Sequence, residues 1–155
     1  MQQDSLSAVN TARSYRIVDA DWLRDRSVIR AVRHAVFVAE QGIPEALEWD
    51  GRDADCRHVL ALARDAEVVA TGRLLADGRI GRMAVLSGWR GCGVGRALLE
   101  RLQQLAAADG LSCVYVHAQL EVVAFYRHAG FQVSGEPFVT AGIAHVEMKK
   151  PLQGC

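Results

Sequence analysis

Between the strand-like run Gly81 to Val85 and the helix-like run Arg96 to Ala108 lies Arg90-Gly91-Cys92-Gly93-Val94-Gly95, three glycines in six residues. The helix-like run leads into a second apolar strand-like run, Val114 to Ala118. Strand, glycine loop, helix and strand in that order close in one favoured way: the two strands lie parallel and the helix crosses over with a right-handed connection. The glycines let the backbone turn its N–H groups outward, and the amides of the first helical turn lack intrahelical partners and carry partial positive charge. Such a loop is built to receive a phosphate. Arg90 before it and Arg96 after it are expected to add charge-assisted contacts to the same anion.

The familiar phosphate loops do not fit. Gly95 is followed by Arg96 and Ala97, so the Lys-Ser/Thr pair of a P-loop is missing. A dinucleotide fingerprint would need glycine at position 96 and an acidic residue about 20 positions further on; neither is present. A glycine turn that merely joins a strand to a helix remains the plain alternative.

Acidic and basic residues balance at 18 each, which leaves no basic excess for nucleic acid or an anionic membrane. A length of 155 residues, half of them hydrophobic, suits one core, and residues 13–152 are expected to form one domain after a disordered stretch over 1–12. The first dozen residues have neither a basic start nor an apolar run, and no segment is as long as a membrane span, so a cytoplasmic protein is expected. The four cysteines, Cys56, Cys92, Cys113 and Cys155, lack metal-site spacing and read as free thiols. No metal is implied: Asp50-Gly51-Arg52-Asp53-Ala54-Asp55 has the wrong alternation for a calcium loop.

Along the chain, Tyr15 to Val18 reads as a strand, with Asp19 or Asp21 available to cap a following helix. Val28, Val32, Ala35, Val36 and Ala39 recur at helical spacing over Ser27 to Glu40, with Arg30, Arg33 and His34 off the apolar stripe. The span Glu40 to Asp55 is acidic and turn-rich; it could attract a cationic amine or simply be a solvated loop. Three strands follow, Arg57 to Arg64, Glu67 to Leu75 and Arg79 to Val85, as an antiparallel meander. After the crossover come a short helix over Leu120 to His128 and two strands, Phe131 to Phe138 and Ala144 to Lys149. Trp22, Trp49 and Trp89 read as packing residues.

This order of elements, with Arg90-x-x-Gly93-x-Gly95 and the later Ala124-Phe125-Tyr126-Arg127-His128-Ala129-Gly130-Phe131, resembles the GNAT superfamily of acyl-CoA-dependent N-acyltransferases over nearly the whole chain. The N-terminal half, with Val36-Phe37-Val38-Ala39-Glu40-Gln41-Gly42, Glu48-x-Asp50 and His58, is similar to a small bacterial branch of that superfamily. The resemblance implies an α/β fold: a mixed, mostly antiparallel sheet of six to seven strands, a parallel βαβ crossover at the cofactor site, and helices on both faces. It implies that Gly91, Cys92, Gly93, Val94, Gly95 and Arg96, with Arg90 and Phe125, hold coenzyme A. The edge Met83, Ala84 and Val85 would bond pantetheine and offer an amide to the thioester oxygen.

The implied activity is transfer of acetyl from acetyl-CoA to a primary amine of a small molecule or peptide by direct attack. The alternative is a non-catalytic acyl-CoA sensor. Tyr126 is the candidate proton donor to the departing thiolate, since a phenol stays protonated at neutral pH. Many relatives keep a carboxylate near the strand before the loop, but that strand carries Arg79 and Arg82 and no acid. The candidate bases are therefore His117, Glu40 and His145, the last sharing a strand face with Glu147. The expected partners are acetyl-CoA and an amine, without nucleic acid, membrane or metal, and with a homodimer left open.

Overall fold

The computed structural model describes residues 14–152; the expectation for 1–12 and the thiol of Cys155 lie outside them. Strand β1 (Tyr15–Ala20) leads into helix α1 (Trp22–Arg33), which continues as a π-helical segment, His34–Glu40. The helix begins five residues before the expected start. Asp21 caps it by accepting from the Arg24 amide at 3.1 Å, while Asp25 accepts from the Asp21 amide at 2.9 Å. One turn, α2 (Glu45–Glu48), lies in the acidic segment. The meander is β2 (Arg57–Ala63), β3 (Val68–Leu74) and β4 (Arg79–Val85). The glycine loop opens α3 (Val94–Ala108), and β5 (Cys113–Gln119), α4 (Val123–His128), β6 (Gln132–Val133), β7 (Phe138–Thr140) and β8 (Ile143–Pro151) complete the order.

These strands form one eight-stranded sheet in the order β1-β2-β3-β4-β5-β8-β6, with β7 also paired to β8. All pairings are antiparallel except β4 with β5. The expected single strand Phe131 to Phe138 is two short ones, because Ser134-Gly135-Glu136-Pro137 between them supplies turn residues and a proline that cannot donate to a ladder.

One face of the sheet is covered by α3, whose Leu98, Leu99 and Leu102 are fully enclosed with Val59, Ile80, Val116 and Met148. Burying each such side chain contributes about 1.5–3 kcal/mol. The other face packs Ala84 against Val32, Val36 and Phe37. Ile80 and Ala84 would share a face in a regular strand, but Arg82 and Met83 together oppose Gly72 in a bulge, with Arg82 at φ 50°. Gly72 makes that bulge possible: a Cβ there would lie 3.0 Å from both Met83 Sδ and Leu102 Cδ1.

Most of the acidic segment is exposed, as a solvated loop would be, but its Glu48 and Asp53 turn inward. Glu48 and Asp53 are buried, and so are Arg33, 1% exposed, and Arg73, 2% exposed. Arg33 Nε meets Glu48 Oε1 at 2.6 Å and its Nη1 meets Asp53 Oδ1 at 2.6 Å. Arg73 joins Asp53 at 2.9 Å and grips Asp50 with both terminal nitrogens. Arg82 closes the network on Glu48 at 3.2 Å and Asp50 at 3.4 Å. Periodicity put Arg33 on the solvent side of its helix; the carboxylates of Glu48 and Asp53 arriving from the following segment make the interior the better place for it. His58 stacks on Trp22 and its Nε2 lies 2.8 Å from the Asp53 carbonyl, so it too belongs to this assembly.

Candidate active site

Strands β4 and β5 are in register only at Arg79 with Tyr115 and Ile80 with Val116. Beyond that point they part, because the bulge bends β4 while β5 follows its antiparallel neighbour β8 as far as Gln119 with His145. The Leu86 amide is bonded to the Val69 carbonyl on the β3 side at 2.9 Å. By alternation, the N–H and C=O of Val85 turn into the gap. The expected pantetheine edge, Met83, Ala84 and Val85, therefore borders a wedge with no strand opposite it.

At the open end of the wedge, Gly93 caps α3 from the left-handed region at φ 84°, and Gly91 stands at φ 77°. No side chain caps this helix, so the amides of Val94, Gly95 and Arg96 keep their donors for a ligand. A Cβ on Gly95 would stand 3.5 Å from the Phe125 ring and 3.9 Å from Val85, so glycine keeps the space between loop, strand and α4 open. Arg96 is exposed and lies 3.7 Å from Glu100, a loose surface pair. Cys92 is half-buried, its thiol 3.7 Å from the Arg90 carbonyl.

Arg90 and Glu40, expected in separate roles, hold each other. The Arg90 guanidinium meets the Glu40 carboxylate in bidentate fashion at 2.6 and 2.9 Å and donates from Nε to the Val85 carbonyl at 3.0 Å. That guanidinium holds Glu40 below the usual carboxylate range, which weakens it as a base. Its place at the end of the π-helical segment is what brings it to the loop.

Tyr126 stands edge-on between Phe125 and Phe131, with ring centroids 5.0 and 5.5 Å away, and is 8% exposed. Its hydroxyl has no partner among the described residues, yet it is not sealed from solvent. Burial pushes the phenol up to about 12.

On the sheet face opposite α3, Tyr115, His117, His145 and Glu147 line up across β5 and β8. His117 Nε2 lies 3.4 Å from Glu147 Oε1, and because a carboxylate can only accept, this contact favours the proton on Nε2 and the lone pair on Nδ1. Burial, and then the positive charge of Arg79, lower the imidazole below its usual value despite Glu147. Phe138 separates the two histidines, edge-on to His117 at 5.1 Å and stacked on His145 at 5.7 Å. His145 Nδ1 is bonded to the Ile143 carbonyl at 2.7 Å. The pairing of His117 with Glu147 and the intervening Phe138 were missed in the sequence, because they depend on the register of β5, β7 and β8. Among the described residues no group of three or more acidic, histidine or cysteine side chains is placed to hold a metal ion.

The chain has relatives in sequence and in fold. The chain is 34% identical over 122 residues to the Bacillus subtilis uncharacterized N-acetyltransferase YjcF, covering 77% of this chain and 87% of that one. An acyl-CoA N-acyltransferase from Pseudomonas aeruginosa superposes with a TM-score of 0.79 at 33% identity, covering 88% of this chain and 99% of that one. Escherichia coli ElaA superposes with a TM-score of 0.77 at 29% identity and the same coverage. Residues 25–152 match the profile of the acetyltransferase (GNAT) domain, and the chain belongs to the GNAT acetyltransferase family.

Proposed function

We propose that the protein transfers an acetyl group from acetyl-CoA to the primary amine of a small molecule or peptide, by direct attack within a ternary complex. The observation that carries this reading is the parting of β4 from β5 beside a helix N-terminus whose first amides are uncapped. Those amides and Arg96 suit a diphosphate, and the Val85 edge, which faces no strand and whose carbonyl already accepts from Arg90, suits a pantetheine chain lying as an extra strand. Arg90 then supports the Val85 edge, with Glu40 as its counter-ion rather than a base. Acetyl-CoA supplies the activated acyl group as a thioester.

The remaining work falls to side chains. An alkylamine of pKa about 10.4 is neutral in roughly one molecule in two thousand at pH 7, a handicap of about 4–5 kcal/mol, so a base is needed at the acceptor side. His117 fills that role best: it is neutral at physiological pH, its free Nδ1 lone pair is set by Glu147, and it follows Val116, the last β5 residue in register with β4. The α3 side of the sheet is filled by core side chains, so the amine approaches from the His117 side. Tyr126, protonated at any working pH, donates to the leaving sulfur.

A thiol-release assay over amino acids, amino sugars, polyamines and peptides tests this reading. Tyr126→Phe should lower kcat about 10²- to 10⁴-fold while acetyl-CoA affinity stays near wild type. Unchanged turnover would remove Tyr126 from the mechanism, and cofactor binding without transfer to any amine would favour the sensor.

A further inference from the structure

We propose that the acceptor is an amine that also carries a carboxylate, an amino acid or a close derivative, and that Arg79 is the residue that receives that carboxylate. The proposal deepens the transferase reading and rests on it for the amine alone.

Arg79 opens β4 directly beside Tyr115 of β5, on the face that carries His117 and Glu147. Its guanidinium is half-buried and makes no hydrogen bond or ion pair among the described residues, which sets it apart from every other shielded cation there. Arg33, Arg73 and Arg82 share the carboxylates of Glu48, Asp50 and Asp53; Arg101 holds Asp19; Lys150 donates to the Ala129 carbonyl. The acid nearest in sequence, Asp77, is already engaged by the Tyr115 hydroxyl and by the backbone amide of Arg79. Burial, joined by the positive charges of Arg73 and Arg52, pushes the Arg79 guanidinium below its usual value against the pull of Tyr115 and Asp77.

A planar guanidinium left with its donors unused is matched by a carboxylate, which can accept two parallel bonds. The charge around it points the same way. In the acidic segment that could have drawn a polyamine, Glu48, Asp50 and Asp53 are taken up by three arginines, and Glu147 lies against His117 and accepts from the Ser134 hydroxyl at 3.1 Å. What the acceptor face presents to an incoming molecule is an imidazole base and, alongside it, an unpaired cation. A diamine would bring a second positive charge against Arg79, whereas an amino acid would bring the complement, with its amine left for His117.

The test uses amines that differ only in the carboxylate, lysine against cadaverine and γ-aminobutyrate against butylamine, with the wild type, Arg79→Gln and Arg79→Lys at a pH above the histidine range. In the wild type the carboxylate member of each pair should show a KM at least about tenfold lower. Arg79→Gln should raise that KM about 10- to 100-fold and so erase the difference between the carboxylate amine and its plain partner, and Arg79→Lys should recover part of the loss. Thermal shift of the coenzyme A-saturated protein gives a readout independent of turnover: the carboxylate member should raise Tm in the wild type and not in Arg79→Gln. Equal KM values and equal shifts within each pair would overturn the proposal. Transfer to no amine, with a carboxylate-dependent shift retained, would support Arg79 as the anion site while defeating the transferase reading.

Discussion

In the proposed reaction Tyr126 and His117 divide the proton traffic because their surroundings move them apart. Burial drives the phenol up to about 12, while burial and Arg79 bring the imidazole down, so at neutral pH one is a donor and the other an acceptor. The acidic limb of the kcat profile should accordingly lie below the ordinary histidine value of about 6.5, since activity is lost only when pH falls far enough to protonate His117. His117→Asn should lower kcat and abolish that limb; a limb that persists unchanged would assign the base elsewhere. Tyr126 stood out as a candidate in the sequence through the Phe-Tyr and Gly-Phe pattern around it. The preference among His117, His145 and Glu40 was not, because it turns on Glu147 facing His117 across two strands and on Arg90 claiming Glu40.

The stretch from Glu48 to Asp53 is held by an ion network. Removing one partner of a buried pair leaves an uncompensated charge, so Arg33→Ala should cost about 3–5 kcal/mol, read as a lower urea midpoint. Acid should act through the same network. Arg73 holds Asp50 well below the usual carboxylate range, so its contribution is complete above the unfolded value of about 3.9 and is lost as pH falls from there towards the folded value. The urea midpoint of the wild type should hold down to about pH 5 and fall below about pH 4, whereas Asp50→Asn should start lower and fall less steeply. Sequence periodicity found the strands and α3 because each has one apolar face. It misplaced Arg33, whose partners Glu48 and Asp53 lie 15 and 20 residues further along the chain, beyond any local pattern.

At the scale of the molecule, one bulge connects fold to site. Arg82 occupies a left-handed conformation that costs a non-glycine residue roughly 1–2 kcal/mol, Gly72 makes room for Met83 beside it, and the two ion pairs of Arg82 tie the bend to the acidic segment. The bend parts β4 from β5, and the crossover sets the α3 N-terminus at the mouth of the wedge it opens. The crossover and the glycine loop were readable from residue order alone. The bulge, the eighth strand and the register of β5 with β8 were not, since each depends on which strands meet. The central claim is that this wedge and helix end together bind an acyl-CoA. Calorimetric titration with acetyl-CoA, for the wild type and for Gly93→Val, tests it most directly, because a β-branched residue is a steric outlier at φ 84° and would deform the cap. Association in about the micromolar range is expected for the wild type, weakened at least about tenfold in a folded Gly93→Val protein; no heat of association with the wild type at millimolar acetyl-CoA would rule out acyl-CoA binding at this wedge.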